Sequence, residues 1–507
     1  MPLQEVILCS TSSQQPTVGA GAIVVHDIQT GAILASFKQT NAGPKGVAVL
    51  ESKSTQGGFI LAAQSDKSIM NVYNYQKDQL ALKIVLPEKL SCIAVDNQGD
   101  FCAAGTSQGR VYLWEISSGL LYNAWDAHYR SVNVLQFTQD GAGLVSGSDD
   151  SGVSVWSVSR LVSEDHQAEL PSPYCTLTDH TLPVTDISCG VGVFPNCRVM
   201  TSSADHSVKI WDLSTKSLMT TFQFPQIILL LAWDVTERFF LAASSEGSIY
   251  QVNLFKQKPR FGGQSMQAIG GLGANDVVRI DEDYLQAQKK RLIQVAQPIS
   301  ALTISLSSTW LLVGTASGQI HVYDIPSHQL LRSISAHKGF SITHLQTMMK
   351  PPDLFGHISI DFKVGASVDL KDTMPVKPVV AFQRTRNAKA RDAHEVLALL
   401  KDTTSPPPDF WNFYSSDEFL KEHAAFVHPV SNDPTVQPNT VSLQSRVQDL
   451  EHEVEQLRSQ LAKAKSLNDT MWDGVVQRLV QQAKAKGSGE TEDAESKRNR
   501  KRSRTGN

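Results

Sequence analysis

Short segments in which apolar and polar residues alternate recur through the first two thirds of the chain. A two-residue period predicts β-strands that bury one face, and residues 207–211 (Ser-Val-Lys-Ile-Trp) are an example. Dipeptides that favour tight turns, such as Asp140-Gly141 and Glu246-Gly247, separate these segments. The pattern therefore predicts a chain built mainly from short antiparallel strands.

The strand-like segments also repeat at long range. Seven of them end in an apolar residue followed by a small polar or acidic one, at positions 27, 74, 115, 157, 212, 253 and 324, so the spacings are 47, 41, 42, 55, 41 and 71 residues. Three of these spacings lie within the roughly 40–45 residues of a four-stranded propeller blade, and the others fit a repeat with an insertion. A lone four-stranded sheet cannot bury both faces, whereas seven arranged radially can.

This repeat resembles the WD-repeat family over residues 1–350. The resemblance implies an all-β fold, a seven-bladed WD40 β-propeller with an insertion at 255–297. The first unit has room for two strands before Asp27, and strand-like segments follow residue 330. We therefore predict that the propeller is closed by N- and C-terminal strands, with one blade built from both ends of the chain.

Two repeats carry the fullest set of polar residues that the WD family uses. The family pattern implies a hydrogen-bonded structural network in each of them. A histidine, an aspartate and a serine could instead suggest a catalytic triad, but their recurrence at the repeat period favours the structural interpretation. The predicted network residues are His128, Ser146, Asp150 and Trp156 in the fourth blade and His180, Ser203, Asp205 and Trp211 in the fifth.

The pattern changes after residue 350. Residues 351–440 carry proline clusters, a local basic cluster and an aromatic-rich stretch, which we interpret as an extended arm. The basic cluster could contact ribosomal RNA, although an ordinary solvated run is the simpler interpretation.

A heptad pattern follows the arm, in a segment predicted to be a coiled-coil helix over 441–484. Apolar residues spaced alternately by four and three positions form a seam suited to a parallel two-stranded coil and hence to a homodimer. The alternative is a single helix docked on its own propeller. The predicted dimer interface consists of Leu443, Val447, Leu450, Val454, Leu457 and Leu461.

Residues 485–507 form a polar tail that we predict to be disordered and basic. Its basic cluster is typical of a nuclear localisation signal or an RNA-tethering tail, with a solvated run without function as the alternative. The cluster comprises Lys497, Arg498, Arg500, Lys501, Arg502 and Arg504.

Composition excludes several classes of function. The net charge of −4 excludes a body that is a basic nucleic-acid clamp throughout. The longest apolar run, residues 227–233, is far shorter than the roughly 20 residues of a bilayer span, so we expect no membrane contact.

The six cysteines form no C-x-x-C pair, and we predict no metal, cofactor or catalytic residue. Ser107 lies in a G-x-S-x-G sequence, but a nucleophile elbow opens a helix and here a strand is predicted to follow.

Four stretches of the sequence indicate which members of the WD-repeat family the chain resembles. They are residues 42–46, 127–132, 180–187 and 246–255. With the C-terminal heptad, they resemble the Ipi-type pre-rRNA-processing proteins of fungi and their animal counterparts. The resemblance implies a noncatalytic scaffold subunit of the nuclear Rix-type complex, in the nucleolus and nucleoplasm. Such a subunit takes part in large ribosomal subunit maturation, including processing of internal transcribed spacer two.

The resemblance also implies partners. They are helical-repeat subunits of the complex, the pre-large-subunit particle and the midasin ATPase. The alternatives are a WD-repeat adaptor of a chromatin or ubiquitin-ligase complex, and an enzyme that uses Ser107.

Overall fold

The structure is a computed structural model. It describes residues 4–13, 20–52, 56–163, 170–260, 263–268, 277–281, 292–356, 375–386 and 396, together with 452, 454–456, 458, 459, 462, 463 and 465. The chain divides into two compact units, Met1–Lys401 and Asp402–Asn507.

The first unit is a seven-bladed β-propeller of four-stranded antiparallel sheets. The strands of blades one to three are β1 (Glu5–Ser13), β2 (Gly21–Asp27) and β3 (Ile33–Thr40), then β4 (Ala42–Leu50), β5 (Phe59–Gln64), β6 (Ile69–Asn74) and β7 (Leu80–Val85), then β8 (Leu90–Val95), β9 (Phe101–Thr106), β10 (Arg110–Glu115) and β11 (Leu121–Asp126). Blade four contains β12 (Val132–Phe137), β13 (Gly143–Ser148), β14 (Val153–Ser157) and β15 (Cys175–Leu177), with the short helix α1 (Val158–Val162) between the last two strands.

The second half of the propeller follows the same order with additions. Blade five contains β16 (Val184–Cys189), β17 (Arg198–Ser203), β18 (Ser207–Asp212) and β19 (Ser217–Gln223), and blade six begins with β20 (Ile228–Trp233), β21 (Phe239–Ser244) and β22 (Ser248–Asn253). The next strands are β23 (Phe255–Arg260), β24 (Gly263–Ala268), β25 (Val277–Arg279) and β26 (Ile293–Gln294). Blade seven contains β27 (Ile299–Ile304), β28 (Trp310–Thr315), β29 (Ile320–Asp324) and β30 (Leu330–Ile334), and β31 (Phe340–Met349) follows.

Blade one combines strands from the two ends of this unit. Its order is β3-β2-β1-β31, and β31 runs antiparallel to β1 with Cys9 opposite Leu345. The preceding strand, β30, pairs with β29 and belongs to blade seven. The innermost strand of blade one is therefore β31, which contacts the innermost strands β27 and β4 of the neighbouring blades.

The core is divided among the interfaces between blades. The described residues form seven apolar clusters, each spanning two adjacent blades, because each sheet is buried on both faces. Strand β1 shows how the two-residue period produces this arrangement. Val6 and Leu8 pack toward blade two, whereas Ile7 and Cys9 pack toward blade seven.

The insertion at 255–297 contributes to two blades. It begins with the two-stranded hairpin β23–β24. Strand β25 then adds a fifth strand to blade five, parallel to β19, and Ile280 beside it is buried. Strand β26 completes blade six by pairing with β22. Residues 282–291 of the insertion lie outside the described residues.

Two described parts of the 351–440 arm, residues 351–356 and 375–386, lie against the propeller. Residues 351–356 follow β31 onto blade two, where the Phe355 amide donates to the Tyr75 carbonyl at 2.8 Å. Residues 375–386 first contact blade two at Gly57, whose amide donates to Pro375, and then reach blade three. The amide of Gln383 donates to the Gly119 carbonyl there at 2.8 Å.

Trp114 of blade three holds the end of this arm segment. Its ring stacks on Phe382 with the centroids 5.2 Å apart, and its indole NH donates to the Gln383 carbonyl at 2.9 Å. Phe382 is 5% exposed, so the arm segment completes the apolar cluster between blades two and three. The aromatic contact and the backbone bonds thus make residues 375–386 part of the propeller's surface layer.

In the second unit, the described residues between 452 and 465 are helical and exposed. Within the described part of the chain, no helix is both long and apolar enough to span a membrane.

Candidate interaction surface and network residues

Blade four contains a continuous series of hydrogen bonds that runs from an indole through a hydroxyl and a buried imidazole to a carboxylate. The indole NH of Trp156 donates to Ser146 Oγ at 3.0 Å, and Ser146 Oγ lies 2.8 Å from His128 Nε2. The other ring nitrogen, Nδ1, lies 3.2 Å from the Asp150 carboxylate. Because burial lowers the pKa of His128, we assign a neutral ring that donates from Nδ1 to Asp150 and accepts at Nε2 from Ser146.

Blade five repeats this series of hydrogen bonds, with one difference from the sequence-based expectation. The indole NH of Trp211 donates to Thr201 Oγ1 at 2.9 Å, and that hydroxyl lies 2.8 Å from His180 Nε2. His180 Nδ1 lies 3.0 Å from Asp205. The central hydroxyl therefore belongs to Thr201 and not to Ser203, so the expectation for Ser203 was wrong.

Strand register explains why Thr201, and not Ser203, supplies the central hydroxyl. Ser203 lies two residues beyond Thr201 on β17, and its hydroxyl donates instead to the Leu182 carbonyl at 2.8 Å. It also accepts from the backbone amide of Asp205 at the turn that follows. In blade four, the central serine precedes its aspartate by four residues, and the same spacing applied to Asp205 would have identified Thr201.

The carboxylate of Asp205 is held in its ionised form. Burial opposes ionisation, but hydrogen bonds from His180 and Ser207 hold the pKa of Asp205 well below its usual range. Its oxygens also accept from the backbone amides of Thr181 and Ser207. These bonds hold the turn and the imidazole ring in place, and Thr201 itself is fully buried. The geometry is that of a structural network.

Ser107, the remaining candidate nucleophile, is exposed in the turn between β9 and β10. A strand follows it, as the sequence predicted, and not the helix of a nucleophile elbow.

The central channel contains an ion pair that crosses it. Residues 42–46 form an irregular start to β4, and Lys45 there has a left-handed backbone with φ of 57°. This conformation is uncommon for a residue with a side chain, and it accompanies a contact between the ammonium of Lys45 and Asp186 of blade five. Asp186 also accepts from the Leu231 amide of blade six at 2.8 Å. The channel cavity of about 310 Å³ is thus bridged by polar contacts among three blades.

One face of the propeller exposes apolar side chains. The loops that follow the innermost strands all lie on one face, which we call the arm face because residues 351–356 and 375–386 run across it at blades two and three. The corresponding loops of blades five to seven carry the apolar patch, defined as Val191, Val193, Val235 and Leu306. Each of these side chains is at least 46% exposed. Exposed apolar residues grouped in this way are typical of protein-binding surfaces.

A cleft adjoins the apolar patch between blades six and seven. It has a volume of about 170 Å³ and is lined by Trp233, Val235 and Leu306, among others. The indole NH of Trp233 is buried and has no hydrogen-bond partner in the described part of the chain. A buried donor beside an apolar cleft suits a partner that supplies both an apolar side chain and an acceptor.

The remaining predicted site residues lie mainly outside the described residues. Of the six seam positions, Val454 is described, and it is helical and 49% exposed. The other five seam positions and the basic cluster at 497–504 lie outside the described residues.

The repeated blades and the two networks define the class of this protein as a WD40 β-propeller. The family signature described as WD domain, G-beta repeat, matches residues 119–157 and 171–212, which cover parts of blades three to five.

Three relatives identify the family more narrowly. The chain is 31% identical to the pre-rRNA-processing protein IPI3 of Mycosarcoma maydis over 93% of this chain and 96% of that protein. It is 29% identical to the protein of the same name from Yarrowia lipolytica, covering 90% of this chain and 97% of that protein. WD repeat-containing protein 18 of Homo sapiens is 32% identical over 71% of this chain and 76% of its own length. The chain belongs to the family that contains these WD-repeat proteins.

The network geometry predicts the outcome of two substitutions at Thr201. Thr201→Val keeps the shape but leaves His180 Nε2 and the Trp211 indole NH without their shared partner. We expect the free energy of unfolding to fall by about 1–3 kcal/mol, the cost of burying unpaired polar groups. Thr201→Ser retains the hydroxyl, as in blade four, and should cost less than Thr201→Val. Urea unfolding followed by tryptophan fluorescence measures both, and equal stability of the valine variant and the native chain would contradict the network.

Proposed function

We propose that the protein is a noncatalytic scaffold subunit of a nuclear pre-ribosomal complex required for large ribosomal subunit maturation. The observation that carries this proposal is the similarity to pre-rRNA-processing proteins along nearly their whole length, 96% in one case. The proposed steps are processing of internal transcribed spacer two and recruitment of the midasin ATPase. The proposed site of action is the nucleolus and nucleoplasm.

The geometry of the described residues suits a scaffold, because the side chains that could suggest a reaction centre are committed to structural contacts. The histidines, hydroxyls and carboxylates of blades four and five bond to each other, and the channel carries the Lys45–Asp186 pair. We propose that the protein acts by holding its partners at fixed relative positions. We propose that a helical-repeat subunit binds the apolar patch on the arm face, since the arm already covers that face at blades two and three.

Affinity purification from nuclear extract tests the proposed function. The native chain should retain helical-repeat ribosome-assembly proteins, the midasin ATPase and pre-rRNA, identified by mass spectrometry and RNA sequencing. Recovery of histones or ubiquitin-ligase subunits in their place would contradict the proposal and favour the adaptor alternative.

A pair of variants locates the partner surface. Val193→Glu combined with Val235→Glu places two charges on the apolar patch and should reduce recovery of the helical-repeat subunit at least tenfold. The matched control is Leu182→Glu, which changes a side chain 48% exposed on the loop before β16 and hence on the opposite face. Unchanged recovery by the patch variant, with circular dichroism showing a folded chain, would reject this surface.

We further propose that two copies join through the heptad seam of residues 443–461. Leu450→Asp combined with Leu457→Asp should halve the mass measured by light scattering, because charges at d positions oppose burial of the seam. Ser459→Asp, at an exposed helical position, is the control and should leave the mass unchanged. A native chain that is already monomeric would support a helix docked on its own propeller instead.

The basic cluster at 497–504 is the proposed nuclear localisation signal, with direct pre-rRNA contact as its second proposed role. Deleting these residues should lower the nuclear fraction of the chain in fluorescence imaging. An unchanged nuclear fraction would contradict the localisation role.

A further inference from the structure

We infer that blade one contains a transition-metal site formed by Cys9, His26 and His337, for which Zn²⁺ is the ion to test. Among the described residues, the ligand atoms of these three side chains lie within 4.8 Å of one another, and all three residues are buried. The proposal is independent of the proposed function, since neither its success nor its failure alters the partners of the propeller.

The site occupies the position that the structural network occupies in blades four and five. His337 precedes the innermost strand β31, as His128 and His180 precede theirs. Cys9 pairs with Val24, two residues before His26, just as Ser146 pairs with Ser154, two residues before Trp156. Blade one thus replaces the hydroxyl and the indole with a thiol and an imidazole. The backbone geometry that brings the network side chains of blade four together therefore brings three candidate metal ligands together in blade one.

The two distances that involve His337 approach the edges of a tetrahedral zinc site. His337 Nε2 lies 3.5 Å from Cys9 Sγ and 2.8 Å from His26 Nε2. Zn–N bonds of about 2.0 Å and Zn–S bonds of about 2.3 Å require tetrahedral edges of about 3.3–3.6 Å. The sulfur–nitrogen edge matches this range, and the edge between the two imidazoles has to widen by about half an ångström. Three protein ligands leave a fourth position for water.

A second interaction already orients one of the ligands. His26 Nδ1 lies 3.1 Å from the Gly31 carbonyl, so we assign the ring proton to Nδ1, which leaves the Nε2 lone pair directed at the cluster. Metal-binding histidines commonly donate their second nitrogen to a carbonyl in this way. The ligand set of a thiolate and two imidazoles is one that zinc binds readily.

Binding has a defined proton balance. Zinc binds cysteine as the thiolate and histidine as the neutral imidazole. Because the His26 proton is on Nδ1, the hydrogen bond between the two Nε2 atoms places the His337 proton on Nε2. On binding, the Cys9 thiol loses its proton to solvent, and the His337 proton moves from Nε2 to Nδ1. One proton is therefore released for each Zn²⁺ bound, and affinity should rise with pH.

An ion at this site would link parts of the chain that are far apart in sequence. Cys9 lies on β1, His26 lies on β2, and His337 lies in the loop before β31. A bound ion would therefore connect the first strands of the chain to the loop that leads into the last strand of the ring.

Metal binding by the full untagged chain tests the inference. After chelator treatment and incubation with Zn²⁺, gel filtration followed by elemental analysis should give one zinc per chain. Co²⁺ in place of Zn²⁺ should give a thiolate-to-metal charge-transfer band. Cys9→Ser should fold, because serine holds the equivalent position in blade four, and it should lose both the band and most of the zinc. Cys175→Ser, on an edge strand of blade four, is the matched control and should retain both.

Thermal unfolding supplies a second readout. Zn²⁺ should raise the Tm of the native chain and of the Cys175→Ser variant but not that of Cys9→Ser. A native chain that retains no metal would overturn the inference and leave a hydrogen-bonded cluster. The same charge-transfer band in Cys9→Ser would overturn it as well, because the thiolate ligand would then lie elsewhere.

Discussion

The antiparallel pairing of β1 with β31 is the interaction on which the propeller depends. It joins residues near the start of the chain to residues about 340 positions later, with Val6 opposite Met348. Because β1 is buried on both faces, its side chains enter two apolar clusters, one shared with blade two and one with blade seven. Separation of the two strands would expose both clusters at once. The integrity of the ring and of its faces is therefore coupled to a contact of very high sequence separation.

The blades use one position in the repeat for different purposes. The central site of blades four and five is a network of an indole, a hydroxyl, an imidazole and a carboxylate. In blade three the tryptophan remains, but Ala104 offers no hydroxyl, and the Trp114 indole NH donates to the arm instead. In blade one the site contains a thiol and two imidazoles. A common backbone thus presents chemically different side chains at equivalent points around the ring.

Much of the fold could be predicted from the sequence because a propeller repeats its pattern. Strand period, turn dipeptides and repeat spacing identify seven blades, and the two strands before Asp27 indicate that the first blade needs a strand from elsewhere. The sequence could not place the pieces that lack a repeat. β25 and β26 return from a long insertion to two different blades, and Phe382 docks on Trp114 from far along the chain. Such contacts depend on tertiary packing, which local periodicity does not encode.

The site residues also divide into those that a repeat spacing could predict and those that it could not. The four-residue spacing between Ser146 and Asp150, applied to Asp205, identifies Thr201 as the central hydroxyl of blade five, although Ser203 was the residue predicted. The Cys9 cluster has no local motif, because His337 is more than 300 residues away in the chain. It becomes visible when strand register aligns Cys9 and His26 with Ser146 and Trp156.

Native-state hydrogen exchange measured residue by residue tests the central claim most directly. If β1 and β31 close the ring, the amides of residues 6–10 on β1 and of residues 344–348 opposite them on β31 should exchange only through global unfolding. Their opening free energies should then equal those of β13 and β17 in the middle of the chain. Exchange of the β1 and β31 amides through a separate opening of lower free energy, with β13 and β17 still protected, would contradict the claim.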